Sequence, residues 1–215
     1  MRGFDLSLYL VLDPGLCAGI GMVETARAAV AGGATMVQLR DKQAGMAQMI
    51  ATGRALKAAL AGTGAKLIVN DDVAAAIAIG ADGVHVGQGD MGVAETRARI
   101  GPGSILGLSV ETPQLAAAAD PALVDYIGTG PVFATPTKPD HKQPVGFNGL
   151  AANVAASPVP AVAIGGLKAR HVVQALTAGA AGIAVVSAIC GRRDPEAAAR
   201  TLANEISDFR TRLRK

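Results

Sequence analysis

Residues 38–42, Gln38-Leu39-Arg40-Asp41-Lys42, place cationic and amide side chains directly after an apolar run. In an extended segment alternate side chains share one face, so Gln38, Arg40 and Lys42 can point together. Two cations and an amide donor on one face suit an anion such as a phosphate or diphosphate. The alternative is that Arg40 and Lys42 form structural salt bridges.

Acidic side chains follow the next two apolar runs, at Asn70-Asp71-Asp72 and at Asp90. If these runs are neighbouring strands, about 4.8 Å apart, Asp71 and Asp90 can converge on one hard cation. Mg²⁺ is commonly bound by one or two carboxylates together with waters and substrate phosphates. The alternative for Asp71 and Asp72 is that either residue caps the helix that follows. We favour capping for Asp72 but not for Asp71.

Asp90 lies within Gly87-Gln-Gly-Asp-Met-Gly92, which matches the G-x-G-x-x-G motif of dinucleotide-binding proteins. That motif belongs in the first strand-to-helix turn of its half-domain, whereas here it follows the fourth predicted strand. A carboxylate at Asp90 would also repel a pyrophosphate unless a metal lay between them. We therefore interpret the glycines as allowing close approach around a metal, and expect His85 to be a hydrogen-bonded residue of the fold.

Hydroxyl groups and glycines follow the later apolar runs. The Ser109 hydroxyl can donate to a phosphate oxygen, and its alternative role is in a local turn or cap. A long irregular segment further on contains Thr135, Thr137 and Lys138. The segments Ile164-Gly-Gly-Leu167 and Val186-Ser187 end the series, and backbone N–H groups in such loops can hold a phosphate. The sequence thus predicts two anion sites, one with a metal and basic side chains and one a neutral backbone cradle.

This pairing of sites indicates a reaction class. A diphosphate beside a metal and cations is a good leaving group, and a monophosphate held by backbone amides anchors a second substrate. We expect transfer of an activated group from a diphosphate to a phosphorylated acceptor. Schiff-base chemistry needs a desolvated lysine within the pocket, and Lys42 and Lys138 are better interpreted as phosphate partners.

The elements that must position these residues are eight short apolar runs separated by Ala-rich amphipathic segments. The predicted strands are Leu6–Leu12, Thr35–Leu39, Lys66–Val69, Gly83–Val86, Ile105–Leu108, Val124–Ile127, Ala161–Ile164 and Gly182–Val185. Eight strand-then-helix repeats predict an α/β fold, a closed parallel (β/α)8 TIM barrel spanning residues 1–215 as a single domain. A doubly wound open sheet is the alternative.

The charge distribution bears on possible partners. The sequence pI is about 9.1, and the excess of basic residues lies in residues 192–215, predicted as a basic C-terminal helix with an apolar stripe of Leu202, Ile206, Phe209 and Leu213. The chain has no Trp and few Tyr and Phe residues on which bases could stack, so we expect no nucleic-acid partner.

The start of the chain has no signal pattern and no segment has the pattern of a membrane span, which indicates a cytoplasmic protein. Cys17 and Cys190 lack metal-type spacing and are predicted to be buried thiols.

The motifs taken together resemble thiamin-phosphate synthase. They are YLVLDP, VQLRDK, IVNDD, GVHVGQGD, LGLS, GTGPVFATPTK, and IGGL followed by AVVSAI, in unbroken order over residues 8–190. The resemblance implies condensation of 4-amino-5-hydroxymethyl-2-methylpyrimidine diphosphate with hydroxyethylthiazole phosphate, giving thiamin phosphate and pyrophosphate. It also implies a dissociative mechanism, in which diphosphate leaves first and the thiazole nitrogen captures the methylene cation.

The resemblance implies a role for each motif residue. The residues that would bind Mg²⁺ are Asp71 and Asp90. Those that would hold the pyrimidine diphosphate are Gln38, Leu39, Arg40, Asp41, Lys42, Asn70, Ser109 and Lys138, with Arg40, Ser109 and Lys138 assisting catalysis. Those that would take the thiazole phosphate are Thr135, Thr137, Gly166, Val186 and Ser187.

One position departs from the family pattern. Glu111 lies where relatives often carry His, two residues after the serine. The related thiazole tautomerase is thought to use that histidine for proton transfer, so its loss favours the synthase. The tautomerase, and a non-catalytic protein that binds thiamin precursors, remain the alternatives, and the sequence leaves open whether the chain forms a homo-oligomer.

Overall fold

Eight parallel strands alternate with eight α-helices in the computed structural model, which describes residues 3–137 and 142–213. The strands are β1 (Leu8–Val11), β2 (Met36–Leu39), β3 (Lys66–Asn70), β4 (Gly83–Val86), β5 (Ile105–Val110), β6 (Tyr126–Thr129), β7 (Ala161–Ile164) and β8 (Gly182–Val185). The helices are α1 (Gly21–Ala31), α2 (Met46–Leu60), α3 (Val73–Ile79), α4 (Val93–Ile100), α5 (Pro113–Ala117), α6 (Gly146–Ala156), α7 (Val172–Thr177) and α8 (Pro195–Leu213). A short 3-10 turn, Ala169–His171, precedes α7.

The strands form one closed barrel because β8 pairs with β1 as well as with β7. The predicted barrel is therefore confirmed and the open-sheet alternative is wrong. The predicted bounds of β4, β7 and β8 agree with the structure. Strand β6 begins two residues later than predicted, because Val124 still belongs to a turn in which its N–H donates to the Asp120 carbonyl at 2.8 Å.

Alternation along the strands separates two apolar layers. One layer lies between the strands and the helices and includes Leu8, Leu10 and Val37. The other fills the barrel interior and consists of Leu6, Tyr9, Val11, Met36, Ile68, Ile105, Tyr126, Val162 and Ala184. On β2, β3 and β5 the inward-facing series continues into the polar residues Gln38, Asn70 and Ser109, whereas on β7 and β8 it continues into the apolar residues Ile164 and Val186.

Helix α8 packs against α1, α7 and β1. Leu202 and Ile206 of the predicted stripe are buried and Phe209 is half-buried, whereas Leu213 is 73 % exposed. The stripe prediction is thus wrong at its last member, because the helix extends past the body it packs on. Within the part of the chain that the structure describes, no helix has both the length and the apolar character needed to cross a membrane.

Closure of the barrel is sensitive to one glycine at the start of β8. A Cβ built at Gly182 would overlap the backbone carbonyl oxygens of Leu6 and Ser7, which cannot move without disturbing β1. We expect Gly182→Ala to lower the free energy of unfolding by about 1–3 kcal/mol, measured by urea denaturation. A Cβ at Gly103 would meet nothing within 4 Å, so Gly103→Ala is the matched control. Equal stability of the two variants would contradict this account of closure.

Candidate active site

A cavity of about 160 Å³ opens at the carboxyl ends of the strands. Its lining includes nine of the residues predicted from sequence: Gln38, Arg40, Asn70, Ser109, Thr135, Thr137, Gly166, Val186 and Ser187. These residues come from six different strand ends and the loops that follow them. The barrel therefore brings residues of both predicted anion sites to one cavity, although Asp71 and Asp90 are not among the residues that line it.

The first group of polar residues follows from strand alternation. Met36 and Ile68 point into the barrel interior, and Gln38 and Asn70, two residues later on the same strands, line the cavity. Arg40 continues the β2 series one step beyond the strand. Gln38 is 4 % exposed, so its amide is fixed within the barrel, while the Arg40 guanidinium lies nearer the opening.

Lys42 does not line this cavity, although the sequence grouped it with Gln38 and Arg40. Its exposed ammonium instead donates to a carboxylate oxygen of Asp71. Burial raises the pKa of Asp71, Lys42 opposes that rise, and the neighbouring Asp90 carboxyl adds to it. Asp71 and Asp90 are thus near enough to hydrogen-bond, as the sequence predicted for two strand-end carboxylates.

The backbone around these carboxylates is specialised. Asp71 has φ = 61°, and its N–H donates to the His85 carbonyl at 2.8 Å, which ties the end of β3 to β4. Asp90 lies in a turn where its carboxylate accepts from the Gly87 N–H at 2.7 Å. The glycine-rich motif therefore forms a loop around a carboxylate, and we take this as support for a metal-binding rather than a dinucleotide-binding role.

Asp72, Asp41 and Leu39, which are next to predicted site residues in the sequence, make contacts that stabilise the local fold. Asp72 caps α3 by accepting from the Ala75 N–H at 2.8 Å, as favoured from sequence. Asp41 accepts from the N–H groups of Gln43 and Ala44 at 3.0 and 3.1 Å and so shapes the turn after β2. The Leu39 side chain is buried in the layer beneath the helices and does not line the cavity.

The long segment after β6 is held against the loop after β7. The Val132 N–H donates to the Ile164 carbonyl at 2.8 Å, and the Phe133 N–H to the Gly165 carbonyl at 3.0 Å. This pairing places Thr135 and Thr137 at the cavity, with their hydroxyl oxygens 2.8 Å apart. Lys138, predicted to bind the diphosphate, lies outside the described residues.

The second anion site lies where the loops after β7 and β8 meet. Gly166 has φ = 65° and a Cβ there would approach the Phe133 Cβ to 2.8 Å, so only glycine fits this turn. Ser187 accepts a hydrogen bond from the Lys168 ammonium at 2.9 Å. The predicted neutral cradle is therefore wrong in one respect, because a lysine lies directly behind it.

Lys168 shares this corner with other cations. Its pKa is lowered, first by burial and then by the positive charges of Arg192 and Arg170. No carboxylate in the described part of the chain forms an ion pair with any of the three. Sequence reasoning missed Lys168, although it directly follows the IGGL motif.

Tyr9, Glu111 and Lys142 also line the cavity and were not predicted as site residues. Tyr9 belongs to an apolar run, which predicts a core residue, while Glu111 was noted only as a departure from the family pattern.

No group of three or more His, Cys, Asp or Glu side chains in residues 3–137 and 142–213 could hold a metal. Two carboxylates nevertheless suffice for Mg²⁺ when substrate phosphates and waters supply the other ligands, so Asp71 and Asp90 fit that ion.

Comparisons with known proteins agree on one family. A family model described as thiamine monophosphate synthase matches residues 8–189. The chain is 53% identical to the thiamine-phosphate synthase of Xanthobacter autotrophicus over 94% of this chain and 95% of that protein, and 47% identical to that of Azorhizobium caulinodans over 96% and 98%. Its fold matches the solved thiamine phosphate pyrophosphorylase of Pyrococcus furiosus with a TM-score of 0.86 and 34% identity, over 95% and 96% of the two chains.

The positive φ of Asp71 gives a stability test that is separate from activity. Substituting Ala or Gly removes the same carboxylate, but only Gly adopts this backbone conformation without strain. We expect Asp71→Gly to be more stable than Asp71→Ala by about 1 kcal/mol, measured by urea denaturation of both variants. Equal stabilities, or a more stable Ala variant, would contradict the assigned backbone conformation.

Proposed function

Because the chain belongs to the thiamine monophosphate synthase family, we propose that it joins 4-amino-5-hydroxymethyl-2-methylpyrimidine diphosphate to hydroxyethylthiazole phosphate. The products are thiamin phosphate and pyrophosphate. Membership makes the chain a transferase of thiamine biosynthesis. The substrates and the way in which the residues act on them are the substance of the proposal.

The observation that carries the proposal is the convergence of two chemically different anion sites in one cavity. Arg40, Asn70 and Ser109 offer a cation and neutral donors on one side. Gly166 and Ser187, backed by Lys168, offer a compact site for a monophosphate on the other. Two phosphorylated substrates bound at these sites would direct their reacting ends toward each other within the cavity.

The proposed reaction exchanges one bond for another. The bond between the pyrimidine methylene carbon and the diphosphate oxygen breaks, and pyrophosphate leaves with the electron pair. The aminopyrimidine stabilises the methylene cation until the lone pair of the thiazole nitrogen forms the new carbon–nitrogen bond. No proton has to be removed from the nucleophile, so the protein acts mainly by positioning the partners and stabilising the departing charge.

Different residues would bind the leaving pyrophosphate, the thiazole phosphate and the metal. Arg40 and Lys138 would balance charge on the pyrophosphate, and Ser109 would donate a hydrogen bond to it. Thr135 and Thr137 would donate to the thiazole phosphate beside the backbone N–H groups of the loops after β7 and β8. Asp71 and Asp90 would hold Mg²⁺, which when bound neutralises negative charge on a diphosphate and so makes it a better leaving group.

The test is formation of thiamin phosphate from the two purified substrates, detected as fluorescent thiochrome phosphate after oxidation. We expect product with Mg²⁺, none with excess EDTA, and recovery when Mg²⁺ is restored. Asp90→Asn should lower turnover by roughly 100-fold or more because it removes a charged metal ligand. Glu95→Gln, which removes a carboxylate charge from an exposed position on α4 just after this loop, is the control.

Two outcomes would contradict the proposal. Product formation that is unchanged by EDTA and by Asp90→Asn would remove the metal assignment. Absence of product from folded protein, with isomerisation of a thiazole phosphate instead, would favour the tautomerase.

Lys168 gives a separate prediction for the monophosphate side. Burial, and then the positive charges of Arg192 and Arg170, disfavour the protonated form of Lys168, and a bound phosphate dianion would favour it. We expect Lys168→Met to raise KM for the thiazole phosphate about fivefold, with KM for the pyrimidine diphosphate unchanged. Arg212→Met removes the same charge from an exposed position in the last turn of α8 and is the control. An equal rise in both KM values would contradict the placement of the thiazole phosphate.

A further inference from the structure

A continuous chain of five side chains crosses the barrel interior at the floor of the cavity. Gln38 Nε2 donates to Tyr9 Oη at 2.8 Å, and Tyr9 Oη lies 2.9 Å from Tyr126 Oη. Tyr126 Oη lies 3.0 Å from His85 Nδ1, and His85 Nε2 lies 2.8 Å from Ser109 Oγ. Both ends of the chain, Gln38 and Ser109, line the cavity.

The middle of the chain is sealed from solvent. Tyr9 and Tyr126 are 1 % and 0 % exposed, and their rings meet edge to face at 6.0 Å between centroids. A Cβ at Gly107 would overlap the rings of Tyr126 and His85, so this glycine provides the space in which they meet. Burial raises the pKa of both phenols, which keeps them protonated and able to donate.

The donor at one end fixes the direction of every later bond. A Gln38 N–H can only donate, so Tyr9 accepts it and has its own proton left for Tyr126. Tyr126 then donates to His85 Nδ1, which leaves the imidazole proton on Nε2, where it points to Ser109. If Tyr126 donated to Tyr9 instead, the buried Tyr9 proton would have no acceptor among the described groups, which is unfavourable.

Both ends of the chain are thereby given a fixed polarity. Ser109 accepts from His85 and turns its own proton toward the cavity. One N–H of the Gln38 amide donates to Tyr9, and no described group donates to the Gln38 carbonyl oxygen, which is therefore available to accept from a ligand. His85 has a phenol rather than a carboxylate at Nδ1, so the arrangement differs from a Ser-His-Asp triad.

We propose that Tyr9, Tyr126 and His85 are positioning residues that direct the Ser109 hydroxyl proton and the Gln38 carbonyl oxygen toward the substrate. The inference rests on the proposed function for its ligand: an aminopyrimidine diphosphate offers an amino N–H to Gln38 and an anionic oxygen to Ser109. The chain of hydrogen bonds thus selects a substrate with a donor at one end and an acceptor at the other.

A double-mutant cycle tests the coupling. Ser109→Ala should lower kcat/KM roughly 10-fold or more by removing a donor to an anionic oxygen. Tyr126→Phe keeps the ring but interrupts the chain, and should lower kcat/KM about fivefold. In the Tyr126→Phe background Ser109→Ala should cost much less than alone, because Ser109 no longer has a fixed proton direction. Additive losses would overturn the inference.

The control is another buried hydroxyl on the same strand. Thr129 accepts from Asn153 Nδ2 at 2.8 Å, and both residues are buried outside the chain of hydrogen bonds. Thr129→Val therefore removes a comparable buried hydrogen bond. We expect it to lower stability while leaving kcat/KM, and the effect of Ser109→Ala, within about twofold.

The position of the histidine proton gives a measurement independent of turnover. In ¹⁵N-histidine-labelled wild-type protein, with the signal assigned by its loss in His85→Gln, we expect the proton on Nε2 and none on Nδ1. A proton on Nδ1 would reverse the chain and overturn the inference even if thiamin phosphate is formed. A proton on Nε2 in a protein that forms no thiamin phosphate would support the hydrogen-bond direction and contradict only the proposed function.

Discussion

Pairing of β8 with β1 is the constraint on which the rest of the structure depends. Closure brings the carboxyl ends of all eight strands into one ring, so residues far apart in the chain come to line one cavity. It also commits alternate residues of every strand to the interior. The polar groups that end the inward-facing series of β2, β3 and β5, which are Gln38, Asn70 and Ser109, therefore lie at the opening of the barrel.

In the proposed function the two ends of the cavity would bind negative charge in different ways. The side with Arg40 lies next to two carboxylates, and Lys42 stabilises one of them. Carboxylates would repel a diphosphate unless a cation lay between them, which is why we assign the metal to this side. The opposite side uses backbone groups and a lysine held behind Ser187, which suits an anchor that remains bound while the chemistry takes place elsewhere.

Much of this arrangement could be predicted from sequence because it follows from periodicity. The bounds of β4, β7 and β8 and the cavity position of Ser109 follow from runs of apolar residues and the polar residue that ends each run. Contacts that depend on register and side-chain direction could not be predicted. Lys42 turns to Asp71, and Lys168 reaches Ser187 from another loop.

Residues that the sequence pattern predicts to be in the core show the same limit, because their side-chain contacts could not be predicted from sequence. Tyr9 and Tyr126 are ordinary members of apolar runs, and only the closed barrel shows that their hydroxyl groups meet. Cys17 and Cys190 are buried thiols, as predicted, but nothing in the sequence indicates that the Cys190 thiol donates to the Val11 carbonyl oxygen at 3.6 Å. Such pairs are set by tertiary packing, which one-dimensional patterns do not encode.

The most direct measurement is a crystal structure of the protein with thiamin phosphate, pyrophosphate and Mg²⁺. Our account predicts pyrophosphate beside Arg40 and Ser109, with Mg²⁺ held by Asp71 and Asp90. The phosphate of thiamin phosphate should lie against Gly166 and Ser187. Exchange of the two phosphate positions, or binding outside the barrel opening, would contradict the division of the cavity into a leaving-group side and an anchoring side.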